Sequence, residues 1–368
     1  MRSRSQTTVN DLQPTNMVQR PLILANNTTP KDAQEQIAHD LMPRIDYLDL
    51  QARLGGEVID QSIYQDRFLR LLETPERTMR LRWGQALYAL RNWHDYDLIY
   101  STSEDVGVPM AVLQSLLGRK TPHVVIVHSV LSLQKYAVYR LLRTMPVFSK
   151  IIALTHSTAK EIVQKYRLPR ERVTSVLDGV DECFWRPQPQ ISVDPGLVIS
   201  LGQARRDYDM LIQAVIDLPL QLHIQASSQW YVQYKSQVGD LPQNVSFGTY
   251  LPFPRLRELY ARSSVVVIPL QPGAHHSAGS VTLKEAMAMG KAVIVASPGG
   301  AEDYIEHGET GLIVPAGNGL ALREAIRELV GDPVRAKSLG ERARQAVETT
   351  LSYERKISRL AAVAEGLA

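Results

Sequence analysis

The chain has 368 residues and a formal net charge of +3 at pH 7, with 44% hydrophobic and 21% charged residues. That length exceeds one ordinary core, so two domains of roughly 180 residues are expected. The one cysteine, Cys183, leaves no room for a disulfide framework or a thiolate metal cluster and fits a reducing cytoplasm.

In chain order, residues 1–19 are polar with two early arginines, and read as a disordered tail rather than a signal peptide. A strand is expected over 21–25, then a helix over 31–41 introduced by Thr29 and Pro30. The basic excess lies in the first half: residues 1–187 hold 24 Lys and Arg against 20 Asp and Glu, the remainder 17 against 18. Arg67, Arg70, Arg77, Arg80, Arg82 and Arg91 alternate with Phe68, Leu71, Leu72, Met79, Leu81 and Trp83. That pattern suits either an amphipathic surface on anionic lipid or a solvated helix face whose arginines lie over core. No apolar run, including 124–127 and 265–270, is long enough to span a bilayer.

Strands over 97–100, 123–128, 151–154 and 172–177 follow, with helices over 110–117 and 157–166. The polar, proline-rich Arg186-Pro187-Gln188-Pro189-Gln190 reads as an interdomain linker. The alternation then restarts. Strands fall at 197–201, 221–225, 244–247, 265–269 and 292–296, with helices at 209–217 and 254–262, and helices fill the chain after Pro298-Gly299-Gly300. Alternating short strands and helices indicate doubly wound α/β domains, whose ligands gather at the carboxyl ends of the strands.

The segment Gly279-Ser280-Val281-Thr282-Leu283-Lys284-Glu285-Ala286-Met287-Ala288-Met289-Gly290 carries the chemistry. A small-residue loop opening a helix offers unpaired N–H groups and the positive end of the helix dipole to a phosphate. Gly279 allows close backbone approach, Ser280 and Thr282 supply hydroxyls, and Glu285 falls on a face that can meet a ribose. After the strand at 197–201, Gly202 leads into Arg205 and Arg206, whose guanidinium forks match phosphate oxygens. A surface turn with a local ion pair accounts for the same Arg-Arg-Asp run. His128 ends a buried strand, and Glu302 follows two glycines, where it either accepts from sugar hydroxyls or caps the next helix. No Asp-x-Asp, metal-spaced cluster, Walker sequence or GxGxxG is present.

These residues resemble the family-4 retaining glycosyltransferases, whose GT-B architecture places two Rossmann-like domains around a cleft. The resemblance covers roughly residues 95–350 in order. It rests on Gly202-Gln203-Ala204-Arg205-Arg206-Asp207, on Asp178-Gly179-Val180-Asp181-Glu182-Cys183-Phe184-Trp185-Arg186-Pro187, on the 279–290 segment, and on Gly299-Gly300-Ala301-Glu302 through Gly311-Leu312-Ile313-Val314. It implies an acceptor-side domain over 1–187, a nucleotide-sugar domain over 188–350, and a last helix, 351–368, crossing back to the first domain.

The resemblance also implies roles. Arg206 and Arg205 hold the departing diphosphate, Glu285 holds the ribose, and His128 faces the donor sugar as a catalytic-site residue. Gly202, Ser277, Gly279, Ser280, Thr282 and Glu302 complete the donor site. The implied reaction is metal-independent sugar transfer with retention, from a nucleoside-diphosphate sugar to a hydroxyl acceptor that is a sugar, a lipid-linked group or a small molecule. It needs no cofactor and no nucleic acid, and is set in the cytoplasm with peripheral contact at the inner membrane face. Two departures stand out. The family's first acid, eight residues before Glu285, is Ser277, and its glycine-rich first loop is Leu24-Ala25-Asn26-Asn27-Thr28-Thr29-Pro30. The same departures motivate a second reading, a non-catalytic sugar-nucleotide-binding or scaffold protein of this fold.

Overall fold

A computed structural model describes residues 20–66, 69, 81–91, 93–128, 141, 143–226, 232 and 239–367. Two six-stranded sheets, parallel throughout, are flanked by helices. The first contains Pro21–Leu24 (β1), Glu57–Ile59 (β2), Leu98–Ser101 (β3), His123–Val127 (β4), Lys150–Ala153 (β5) and Val173–Ser175 (β6), in the order β2-β1-β3-β4-β5-β6. The second contains Leu197–Leu201 (β7), Gln221–Gln225 (β8), Val245–Gly248 (β9), Val265–Pro269 (β10), Ala292–Ser297 (β11) and Leu312–Pro315 (β12), in the order β12-β11-β10-β7-β8-β9. The expected α/β doubly wound class is what the chain adopts.

Strands covered on both faces need no polar alternation. In β10, Val265 and Val267 enter one core while Val266 and Ile268 enter the other. Each sheet also has one place where the strand order reverses. In the first it lies between β1 and β3, and in the second between β7 and β10. Carboxyl ends of the strands open a crevice at such a point. Among the described residues, one cavity opens at the first of these points, and another is lined from the carboxyl ends of β10 and β11.

Several expected elements are corrected. The first helix is only Ala33–Ala38, with Asp32 at its N-cap, and the Thr29 hydroxyl meets the Tyr47 hydroxyl at 2.9 Å. The helix expected at 110–117 spans Glu104–Leu116 and contains Pro109. Proline cannot donate to the Asp105 carbonyl, and the Arg82 N–H takes that acceptor at 2.8 Å. The helix Asp46–Leu54 and strand β2 were not expected, since a three-residue edge strand carries no readable period. Strand β12 interrupts what reads as continuous helix; its Leu312 and Val314 join the second core.

The helix Tyr353–Glu365 packs on the first sheet's core through Leu360, Ala361 and Ala364. Among the described residues no helix is long and apolar enough to cross a membrane. Of the arginine-rich stretch, Arg67, Arg70, Arg77 and Arg80 lie outside the described residues, as does the tail 1–19. Arg82 is half-buried and donates from Nε to Asn26 Oδ1 at 3.3 Å.

Candidate functional site

The second crevice is built around Arg206. Gly202 follows β7, and Arg206 bridges to Leu270 just after β10, so its side chain sits at the reversal of strand order. The guanidinium is buried, with Nε donating to the Leu201 carbonyl (3.1 Å), Nη1 to the Ala204 carbonyl (3.0 Å) and Nη2 to Thr282 Oγ1 (3.3 Å). Guanidinium has five donors, so these three bonds fix its plane and leave two hydrogens for a ligand. No carboxylate pairs with it among the described residues, and burial alone lowers its pKa.

Two glycines make room for this arginine. A Cβ on Gly202 would lie 2.6 Å from Arg206 Nη2; one on Gly279 would lie 2.9 Å from Ile268 Cγ2 and 3.5 Å from Arg206 Nη1. Both have positive φ, 106° and 80°, which glycine adopts without strain. Gly279 is also the N-cap of the helix Ser280–Ala288, whose first turn has no side-chain cap. The unpaired N–H donors of that turn therefore lie beside the arginine.

Arg205 is placed differently from its neighbour. It is exposed, left-handed at φ 58°, and its carbonyl accepts from the Gln271 N–H at 2.9 Å. Glu285, about one and a half turns along the helix, accepts from the Tyr260 hydroxyl at 2.8 Å. Burial pushes its carboxyl up to about 7, against the opposing pull of Tyr260 and Lys284. Glu302 turns back on its own loop, accepting from the Gly300 N–H at 2.8 Å, which is the local capping role. Ser280, His276, Ser297, Gly299 and Gly300 line a crevice beside these groups. The buried Nδ1 of His276 has no partner among the described residues.

Ser277 reaches across the cleft. Its Oγ donates to the His128 carbonyl at 2.6 Å and lies 3.0 Å from His275 Nδ1. His128 is exposed just beyond β4, and its N–H donates to Glu104 Oε2 at 3.0 Å. Its Nε2 is 3.1 Å from the Thr102 carbonyl, a group that only accepts. In the neutral ring Nε2 then carries the hydrogen, and Nδ1 is an acceptor.

Next to Glu285, Lys284 is buried and paired with Asp178, which pairs with Lys356 at 2.7 Å; Lys356 also reaches Asp46 at 2.9 Å. The two lysines hold the Asp178 carboxyl well below the usual carboxylate range. This chain of charges joins the helix Ser280–Ala288 to the first domain. Spacing could not reveal it, since its members lie 46, 178, 284 and 356 along the chain.

Comparison with known proteins bears on the family and the fold. Residues 181–346 match the family model Glycosyl transferases group 1, and residues 45–183 match Glycosyltransferase Family 4. The chain is similar to an exopolysaccharide phosphotransferase of Streptomyces coelicolor, 27% identical over 211 residues, covering 56% of this chain and 22% of that protein. It is similar to a D-inositol 3-phosphate glycosyltransferase of Thermobispora bispora, 23% identical over 223 residues, covering 54% of this chain and 51% of that protein. The chain thus matches about half or less of each of these two relatives. In structure it is similar to Anabaena HepE in complex with UDP, with a TM-score of 0.68 at 18% identity, covering 94% of this chain and 100% of that one.

Proposed function

Because the chain belongs to the family-4 glycosyltransferases, we propose that it transfers a sugar from a nucleoside-diphosphate donor to a hydroxyl acceptor, with retention and without a metal. One observation carries this reading: Arg206, buried and oriented by three bonds, faces the uncapped helix turn whose next carboxylate is Glu285. A leaving diphosphate gathers negative charge, and oriented donors in a buried site stabilise it without reorganising. Arg205, exposed at the mouth of the same loop, adds a second cation to the outer phosphate. Glu285 accepts from the ribose hydroxyls, and His128 Nδ1 accepts from a sugar hydroxyl.

The position eight residues before Glu285 is Ser277, whose hydroxyl is engaged with the His128 carbonyl. Glu302 is engaged with Gly300. Neither supplies a free carboxylate nucleophile, which favours front-face displacement over a covalent glycosyl enzyme. Support for metal independence comes from the donor set: among the described residues no three His, Cys, Asp or Glu gather as metal ligands.

The test is thermal shift with UDP, GDP and ADP, followed by hydrolysis or transfer from the matching nucleotide sugars. Stabilisation by one nucleotide, with turnover of its sugar, is expected. Arg206→Ala and Glu285→Ala should each lower kcat/KM at least about tenfold, about 1.4 kcal/mol. Tight nucleotide binding with no turnover on any donor would favour the non-catalytic reading. Unchanged kinetics in both variants would overturn the site.

A further inference from the structure

The loops that lead into β4, β5 and β6 lie at the amino ends of neighbouring strands, at the far end of the first sheet from the cleft. They gather exposed cations: Arg119 and Lys120 precede β4, Arg143 precedes β5, and Arg167 and Arg170 precede β6. Exposed leucines flank the same loops. Leu116 and Leu117, where the helix Glu104–Leu116 ends, are 76% and 56% exposed, and Leu141, two residues before Arg143, is 82% exposed. We propose that this end of the first domain docks on an anionic lipid bilayer, with the cleft turned away from the bilayer. No residue of the candidate site takes part, so docking and sugar transfer stand independently.

The first support is the balance of charge. Glu171 is the one acid in these loops. Its carbonyl accepts from Lys150 Nζ at 2.6 Å, and Arg172 Nη1 donates to the Pro146 carbonyl at 2.9 Å, which holds the loops before β5 and β6 together as one surface. None of the exposed cations forms an ion pair among the described residues; Arg119 lies over the Trp93 ring at 5.5 Å. The second sheet carries the opposite sign at the same end. Asp194, Asp217, Asp240, Glu306 and Glu309, all exposed, lead into β7, β8, β9 and β12. Against them stands Arg262 before β10, while Lys291 before β11 is buried on the carbonyls of Ala261 and Ser263. An anionic surface therefore attracts the first domain and repels the second, which fixes the orientation.

The second support is the leucines. A single exposed apolar side chain is ordinary, but several beside one set of unpaired cations mark an interaction surface. A soluble polyanion would need only the cations. A bilayer takes both, since apolar side chains enter the acyl boundary while cations stay among anionic headgroups. The sequence pointed instead to the basic stretch over 67–91, of which Arg82 is turned onto Asn26. The cations of this surface are far apart in the chain, and only the pairing of β4 with β5 and of β5 with β6 brings their loops side by side.

The experiment is vesicle flotation of the full chain at low salt, with vesicles of phosphatidylcholine alone and of phosphatidylcholine mixed equally with phosphatidylglycerol. The chain should float with the mixed vesicles only, and added salt should release it, because screening removes the attraction. Lys120→Glu with Arg170→Glu should lower the bound-to-free ratio at least about tenfold. Leu116→Ser with Leu117→Ser should lower it at least about fivefold. Arg262→Glu, on the second domain, should leave it unchanged. Thermal unfolding of each variant checks that the fold is intact; where the charge reversal melts early, Lys120→Gln with Arg170→Gln replaces it and should still lower the ratio. Equal flotation with both vesicles, flotation with neither, or undiminished flotation of the charge variant would each overturn the inference. Undiminished flotation of the leucine variant would overturn the lipid assignment in favour of a soluble polyanion, with retention on heparin lost in the charge variant alone.

Discussion

Glu285 shows how burial sets the working state of a single residue. Its carboxyl titrates near 7, because desolvation outweighs the Tyr260 hydroxyl and the Lys284 ammonium. The neutral acid favours the fold at low pH, and that contribution is lost as pH rises through the folded value. On the proposed reading, ribose hydroxyls donate to the ionised form, so nucleotide binding would draw the group toward ionisation. Nucleotide affinity should therefore rise about tenfold between pH 6 and pH 8 and then level off. Calorimetric titration checks this, with Glu285→Gln expected to flatten the step. A step of equal size in the variant would assign it to the phosphate instead. Arg206 and Glu285 were legible as residue types at a spacing. Their partners, Tyr260 and the carbonyls of Leu201 and Ala204, were not, because contacts across a core leave no local pattern.

Among elements, the helix Ser280–Ala288 is tied to the first domain by charge. Lys284 and Lys356 are both largely buried and meet at Asp178, which lies after β6 on the crossover between the sheets. Removing the shared carboxylate would leave two ammonium groups undercompensated. Asp178→Asn should destabilise the protein by about 3–5 kcal/mol, read as a lower urea midpoint with unchanged slope. The folded pKa of Asp178 is depressed, so its contribution is complete above the ordinary carboxyl range and lost as pH falls below about 4. An Asp178→Asn variant as stable as the parent at pH 7 would show that the network positions the helix without stabilising it.

At the scale of the molecule, polar bonds among the described residues cross the cleft beside the Asp178 network. Tyr304 OH donates to the Leu154 carbonyl at 2.9 Å, the Ser157 N–H to Asp303 Oδ2 at 3.1 Å, and Ser277 Oγ to the His128 carbonyl at 2.6 Å. The larger apolar tie is the last helix, which places Leu360, Ala361 and Ala364 in the first sheet's core although it follows the second sheet in the chain. Deleting residues 353–368 strips that face and should cost several kcal/mol, since burying one large apolar side chain is worth about 1.5–3 kcal/mol. Thermal unfolding followed by circular dichroism should show the first domain melting early. A single transition at the parent temperature would show that the first core closes without the helix.

The sequence by itself determined the fold class, because strands buried on both faces are written as unbroken apolar runs such as Val265-Val266-Val267-Ile268. It also marked the loop-to-helix turn at Gly279 and the arginine at position 206, since a loop, its glycines and the helix it opens are local in the chain. Only the tertiary structure decided that Arg206 points inward while Arg205 points out, and that Glu302 closes on its own loop. It alone joined Asp46, Asp178, Lys284 and Lys356, and left Ser103 unpaired beside the first cavity. Those outcomes depend on which groups packing leaves without water, and burial is a property of the assembled sheets, not of any one segment.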